Sequence, residues 1–343
     1  MANKVRQSNI ELLRIVAMLM VLLLHATLET FGYARVSAIT HAPMRWLALL
    51  TTASSCMVCV DVFVLITGWF GTTFKSTGLL RIVGECTFVS LSMFLLMHLV
   101  GWSLPQHPID YIKVIWSYWF VRAYVLLYLF TPVLNSFVQQ CNEKQLRQFL
   151  ITFFAISIPL SFVSSDLSRG FSTISFLGLY LLGRYLRLHL NTVVCKRKKW
   201  QLLLPYLINT LLLSLVAWSS AFISPQFHNW FIPFFTAYSN PFVIISACSL
   251  LLYFTRLQLK SKTINWLAAG SFAAYLTHQQ IYIRPHYFKI IQFIDKQVPS
   301  TLLYALSVTA VVASIFVFST MLSAVWLKIY TALLRICLHK KHT

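Results

Sequence analysis

Acidic residues are scarce, with 8 Asp and Glu against 28 Lys and Arg in 343 residues. Charged residues of either sign make up only 10% of the chain, well under the roughly 25% of soluble domains, which excludes a large soluble domain at either end. Ten Gly and eleven Pro leave no room for a flexible linker, and no repeated block divides the chain. What remains is apolar: 58% of the residues are hydrophobic, enough to supply about ten spans of roughly 20 residues each. The chain therefore reads as an all-α integral membrane protein forming one domain over residues 1–343. A formal charge of +20 would point to nucleic acid in a soluble protein. In a membrane protein topology accounts for it, so no nucleic-acid partner is expected and membrane lipids are.

Hydropathy places spans at 10–29, 46–68, 82–101, 114–134, 148–164, 171–188, 201–223, 239–255, 264–283 and 301–323. With the N-terminus inside, the outer segments hold only Arg35, Arg45, Lys113, Arg169, Arg284, Lys289 and Lys296, while most other basic residues fall on inner segments. That asymmetry obeys the positive-inside rule and predicts both termini in the cytoplasm. The first apolar run follows Lys4 and Arg6 but is long, contains His25 and lacks a small-residue cleavage pair, so it is expected to be a retained span. Cys56 and Cys59 have redox spacing without a thioredoxin-like setting, and read as small apolar residues. The basic run Lys196 to Lys199, just past Arg184 and Arg187, suits either anionic lipid and topology control or a phosphorylated cytosolic donor.

Ionisable groups within a span cost about 2.5–3.5 kcal/mol each on insertion scales and mark wet or functional interiors. Glu11, Arg14 and His25 all lie in the first span. Eleven residue steps turn a helix by three turns plus about 20°, so Arg14 and His25 share a face about 16 Å apart along the axis. Glu11 stands on the neighbouring turn, where an ion pair with Arg14 is the plain alternative to a functional role. No Gly-x-Ser-x-Gly elbow, phosphate-binding loop or His-Glu-x-x-His is present, and no His, Cys or carboxylate cluster has metal-ligand spacing, so no metal is expected. His41, His107, His228 and His286 fall in predicted outer loops.

The first span resembles that of the integral membrane acyltransferases called acyltransferase family 3, whose hallmark is an Arg and a His separated by ten residues with an acid three positions before the Arg. Three other segments are similar to family features. Val60-Asp61-Val62-Phe63-Val64-Leu65-Ile66-Thr67-Gly68-Trp69-Phe70 resembles the Phe-rich second span, with Thr67 for the usual Ser. Tyr118-Trp119-Phe120, Leu127-Tyr128-Leu129 and Pro132-Val133-Leu134-Asn135 resemble the aromatic fourth span and its Pro exit, and Ala274-Tyr275-Leu276-Thr277-His278 with Arg284 resembles the late Tyr-Leu-x-His block. Where many members carry an Arg-x-Arg pair at the third span, this chain has Lys75 and Arg81, six residues apart.

The resemblance implies an O-acyltransferase of a bacterial cytoplasmic membrane, with a cytosolic acyl-CoA donor, usually acetyl-CoA, and a saccharide or glycan acceptor of a cell-envelope or secreted polysaccharide. Neutral imidazole suits deprotonation of a sugar hydroxyl near neutral pH, which makes His25 the candidate base or acyl carrier; direct and acyl-enzyme routes both stay open. Arg14 is expected to bind donor phosphates or to hold the helix through Glu11. His278 is expected to flank one cavity with His25, and Tyr118, Trp119 and Arg284 are candidate substrate-binding residues, with Lys75 and Arg81 on the donor side; Arg122, outside the family pattern, either lines the cavity as a cation or packs on Tyr118 and Trp119. A polytopic transporter or flippase for a lipid-linked saccharide is the competing expectation; no inverted duplication is visible to support it.

Overall fold

The computed structural model describes residues 6–32, 34–105 and 107–339; Lys4 lies outside them. In chain order the helices are α1, Ser8–Leu24, extended by a π-helical turn at His25–Glu29; α2, Val36–His41; α3, Pro43–Cys56; α4, Cys59–Phe70; α5, Ser76–Leu99; and α6, Pro108–Ser117. They continue with α7, Trp119–Gln140; α8, Glu143–Leu160; α9, Thr173–Tyr185, followed by a second π-helical turn at Leu186–Leu190; α10, Asn191–Cys195; α11, Lys199–Ile223; and α12, Pro225–Phe235. The last five are α13, Pro241–Thr255; α14, Lys262–Ala269; α15, Ser271–Gln279; α16, Arg284–Gln297; and α17, Thr301–His339. No strand occurs among the described residues.

Among the described residues, six helical segments are long and apolar enough to cross a membrane: Ser8–Glu29, Pro43–Phe70, Ser76–Leu99, Trp119–Gln140, Lys199–Ile223 and Thr301–Arg335. The helix Pro241–Thr255 is apolar but shorter. Each of the other predicted spans is built on helix of a different kind. The segment 148–164 lies on α8, 171–188 on α9 and its π-helical turn, and 264–283 on α14 and α15, which are broken apart at Gly270. The segment 46–68 is likewise two helices, α3 and α4, within one span.

The chain forms two compact units, one from Met1–Phe74 and Arg122–Lys260, the other from Lys75–Val121 and Ser261–Thr343. In the first, α4 packs on α1, α9 and α13, and α11 packs on α3, α12 and α13. Small residues set how near α4 and α9 come. A methyl group at Gly68 would overlap the Tyr180 carbonyl, and one at Gly183 would meet the Leu65 carbonyl. Close backbone approach through glycine is the usual basis of helix pairing where lipid removes the hydrophobic drive. In the second unit, α15 packs on α5 and α17. There Ser323 Oγ donates to the buried Glu85 at 2.7 Å and lies 3.1 Å from the Ala269 carbonyl, and Tyr118 donates to the Leu276 carbonyl at 2.9 Å.

Candidate active site

The first helix carries polar groups at both ends, as its spacing predicts. Near its start Arg14 Nη1 reaches both carboxylate oxygens of Glu11, at 3.1 and 3.3 Å. Glu11 is buried, whereas the Arg14 side chain keeps 34% of its surface exposed. The pair neutralises the acid and aims the guanidinium away from the helix, its Cζ 5.9 Å from the centre of the Phe70 ring.

Phe70 ends α4, and Gly71 closes that helix in the left-handed region at φ 58°, ψ 47°. Two arginines gather at the same terminus, Arg184 from the last turn of α9, α4's partner helix, and Arg187 from the π-helical turn that follows it. Arg187 lies over the Trp69 ring at 4.9 Å, and the Arg184 guanidinium packs directly on Gly71, where a side chain would displace it. Cations are favoured beside the partial negative charge of a helix C-terminus, which explains their convergence on α4. The Nε of Arg184 is buried without a hydrogen-bond partner among the described residues. Beside it Tyr180 Oη lies 2.9 Å from the Thr72 carbonyl and 2.8 Å from Asn135 Oδ1, and Asn135 Nδ2 donates to the same carbonyl at 3.2 Å. Thr67 and Tyr124 are joined at 3.2 Å between their hydroxyls. Thus the Thr-Gly-aromatic segment, the Pro-exit Asn135 and three guanidinium groups meet around one helix end.

At the other end of the first helix His25 opens the π-helical turn and is 8% exposed. Four residues on, Glu29 Oε1 lies 3.5 Å from His25 Nε2, as i,i+4 neighbours on a helix do. Thr30 Oγ1 caps the turn by donating to the His25 carbonyl at 2.9 Å. Single π-turns inside α-helices recur at functional sites because they shift the register of side chains. A carboxylate beside the ring stabilises the imidazolium form whenever the histidine takes up a proton. Glu29 was not among the residues singled out from sequence, although its i+4 spacing from His25 is visible there.

His278 belongs to the second unit. It is 1% exposed, with Nδ1 2.6 Å from the Ala274 carbonyl and edge-on contacts to Tyr275 and Tyr287 at 6.1 and 6.0 Å. A carbonyl only accepts, so Nδ1 carries the hydrogen. Tyr118 is 2% exposed, its hydroxyl engaged by Leu276 and its ring 5.8 Å from Tyr275. Trp119 is half-buried and Arg122 exposed. Arg284 is exposed with its Cζ 5.9 Å from the Phe288 ring. Nearby His286 stacks on Trp102 at 3.6 Å and 2°, and its burial, aided by the Lys289 charge, holds its pKa below the ordinary histidine value. Lys75 precedes α5 and is exposed; Arg81 lies one helical turn before the buried Glu85.

Asp61 on α4 went unassigned in the sequence and stands apart in the structure. It is fully buried, and neither carboxylate oxygen has a hydrogen-bond partner among the described residues. It borders a void of about 10 Å³ whose other polar walls are Ser157, Ser175 and Ser239, room for about one water molecule.

A family model described as an acyltransferase domain, Acyl_transf_3, matches residues 7–326. No curated protein and no solved structure gives a match.

Proposed function

The chain belongs to acyltransferase family 3, and from that membership we propose that this membrane acyltransferase O-acylates a saccharide, taking an acyl group, most simply acetyl, from acyl-CoA. The observation that carries the reading is the His25–Glu29 contact inside a π-helical turn, on the helix that also holds Arg14. Acyl-CoA supplies the acyl group as a thioester. Arg14, Arg184 and Arg187 offer three guanidinium groups for its phosphates at one end of α4, and the buried, unpartnered Arg184 Nε fits an anionic ligand there. From Arg14 to His25 the helix advances about 16 Å, a distance an extended pantetheine arm spans.

The His25 imidazole takes the proton from the acceptor hydroxyl as its oxygen attacks the thioester carbonyl. The C–O bond forms, the C–S bond breaks, and the imidazolium returns the proton to the departing thiolate. Glu29 stabilises the imidazolium in between and fixes the ring's orientation, a role that positioned carboxylates play beside catalytic histidines. The acceptor is read as a glycan precursor of a bacterial envelope, handled at the cytoplasmic membrane.

The test is transfer of label from radiolabelled acetyl-CoA into a glycan fraction by membranes containing the protein, with succinyl-CoA in parallel. Label in glycan supports the reading and identifies the acyl group. Label that stays on CoA in both cases, while saccharide crosses the membrane in the same preparation, would replace it with the transporter.

A further inference from the structure

Beyond the end of the first helix the first unit has an open cavity of about 1030 Å³, walled by Phe31, Gly32 and Ala34 to Ser37, by Arg169, and by residues from Pro225 on α12 to Thr236 just past its end. Small-molecule pockets run to roughly 300–1,000 Å³, so this one has room for several sugar rings. Its wall begins at Phe31, six residues past His25, or about 9 Å further along the helix. Two guanidinium groups, Arg35 and Arg169, face it, and no carboxylate lines it among the described residues. Neither arginine is in an ion pair among the described residues. The remaining polar lining is Ser37, His228, Asn229 and Thr236, with the Phe31 ring, on which Arg45 packs at 5.4 Å, alongside. Hydroxyls, an amide and an aromatic face suit a saccharide, whereas the paired cations call for negative charge.

The walls are held in place. His228 is 1% exposed, with Nε2 2.7 Å from the Ala34 carbonyl and Nδ1 2.7 Å from Ser220 Oγ. Because the carbonyl only accepts, Nε2 donates to it, and this pins the Ala34 segment to α12. Ser168 and Arg169 both sit at positive φ, 39° and 53°. Two bonds maintain that conformation: Arg169 N–H donates to the Ser161 carbonyl at 2.9 Å, and the Arg169 carbonyl accepts from Ser239 N–H at 3.2 Å. A non-glycine residue held there costs on the order of 1–3 kcal/mol and marks a position with a task. The task visible here is to present a guanidinium to the cavity.

We propose that this cavity is the acceptor site and that it selects anionic saccharides, bearing carboxylate or phosphate, through Arg35 and Arg169. The assignment rests on the acyltransferase reading for the word acceptor; the charge preference rests on the cavity alone.

The experiment measures binding to the full chain in neutral-lipid nanodiscs, using trigalacturonate against neutral trigalactose and glucose 6-phosphate against glucose. The same pairs are run on Arg35→Gln, and on Arg35→Gln with Arg169→Asn, Asn being chosen because it tolerates positive φ. Equal thermal midpoints establish that the variants fold; Arg35→Gln alone, at an exposed position, serves if the double variant does not. The expected result is that at least one anionic probe binds about tenfold or more tightly than its neutral partner, as charge-assisted bonds to Arg imply, and that the variants lose most of that margin. Equal binding of charged and neutral probes, or a margin unchanged in the variants, overturns the proposal. So does loss of the margin when phosphatidylglycerol is added to the nanodiscs, since the cavity then holds a lipid headgroup. A margin present in protein that transfers no acyl group would fault the acyltransferase reading and leave the anion preference standing.

Discussion

Glu29 stands 3.5 Å from Nε2 of His25, four residues on along the first helix and within the π-turn over His25–Glu29. On the proposed mechanism the carboxylate orients the imidazole and supports its charged form. Removing it leaves the base in place but unoriented and unsupported when charged. Glu29→Gln is expected to slow acyl transfer about tenfold, and Glu29→Ala further, both short of the roughly 10²–10⁴-fold attributed to a positioned base. Initial rates in membranes matched for protein amount check the order; a Glu29→Ala rate equal to wild type removes the orienting role.

Arg184 and Arg187 converge with Arg14 on the end of α4. If they bind donor phosphates, Arg184→Gln and Arg187→Gln should each raise KM for acyl-CoA by roughly tenfold or more, the size of a hydrogen bond to a charged group. The rate at saturating donor should change much less. Added salt should raise the wild-type KM in the same direction, since exposed charge pairs are screened. A fall in kcat at constant KM would assign these side chains to holding α4 and α9 together instead.

Gly68 has no room for a side chain against the Tyr180 carbonyl. Gly68→Ala must push α9 away from α4, an overpacking cost of about 1–3 kcal/mol. Thermal unfolding in detergent should show a lower midpoint, and an unchanged midpoint would mean that the two helices are not in rigid contact.

Asp61 is buried with both oxygens unpartnered, a costly arrangement for a carboxylate. Asp61→Asn removes the ionisable group at nearly constant shape and is expected to leave the thermal midpoint equal or higher. A lower midpoint would show that the carboxylate is bound to something that holds it in place, such as a water in the adjoining void.

Much of this was legible in the sequence because it is local. Apolar runs gave the helical segments, and the spacing of Glu11, Arg14 and His25 put an ion pair and an imidazole on one helix. The limits are equally physical. The i+4 interval from His25 to Glu29 is in the sequence and already makes the two neighbours on a helix; the π-turn they sit in is not, since it depends on how the helix end is packed and capped. Arg184 and Arg187 read as part of a basic inner run; their gathering at α4 follows from Gly68 and Gly183 letting two helices touch. His228 sits between Pro225 and Pro233 and so reads as loop, yet Pro225 opens α12, and the histidine becomes a buried strut. Gly270, unremarkable in a hydropathy profile, divides α14 from α15 where a side chain would collide with Thr320.

The account turns on His25 as the base of acyl transfer, and the most direct measurement is transfer of labelled acetyl from acetyl-CoA to glycan by wild type and His25→Ala, matched for amount and thermal midpoint. The predicted result is a loss of about 10²–10⁴-fold in initial rate with the variant folded and inserted. Equal rates for the two proteins would contradict it.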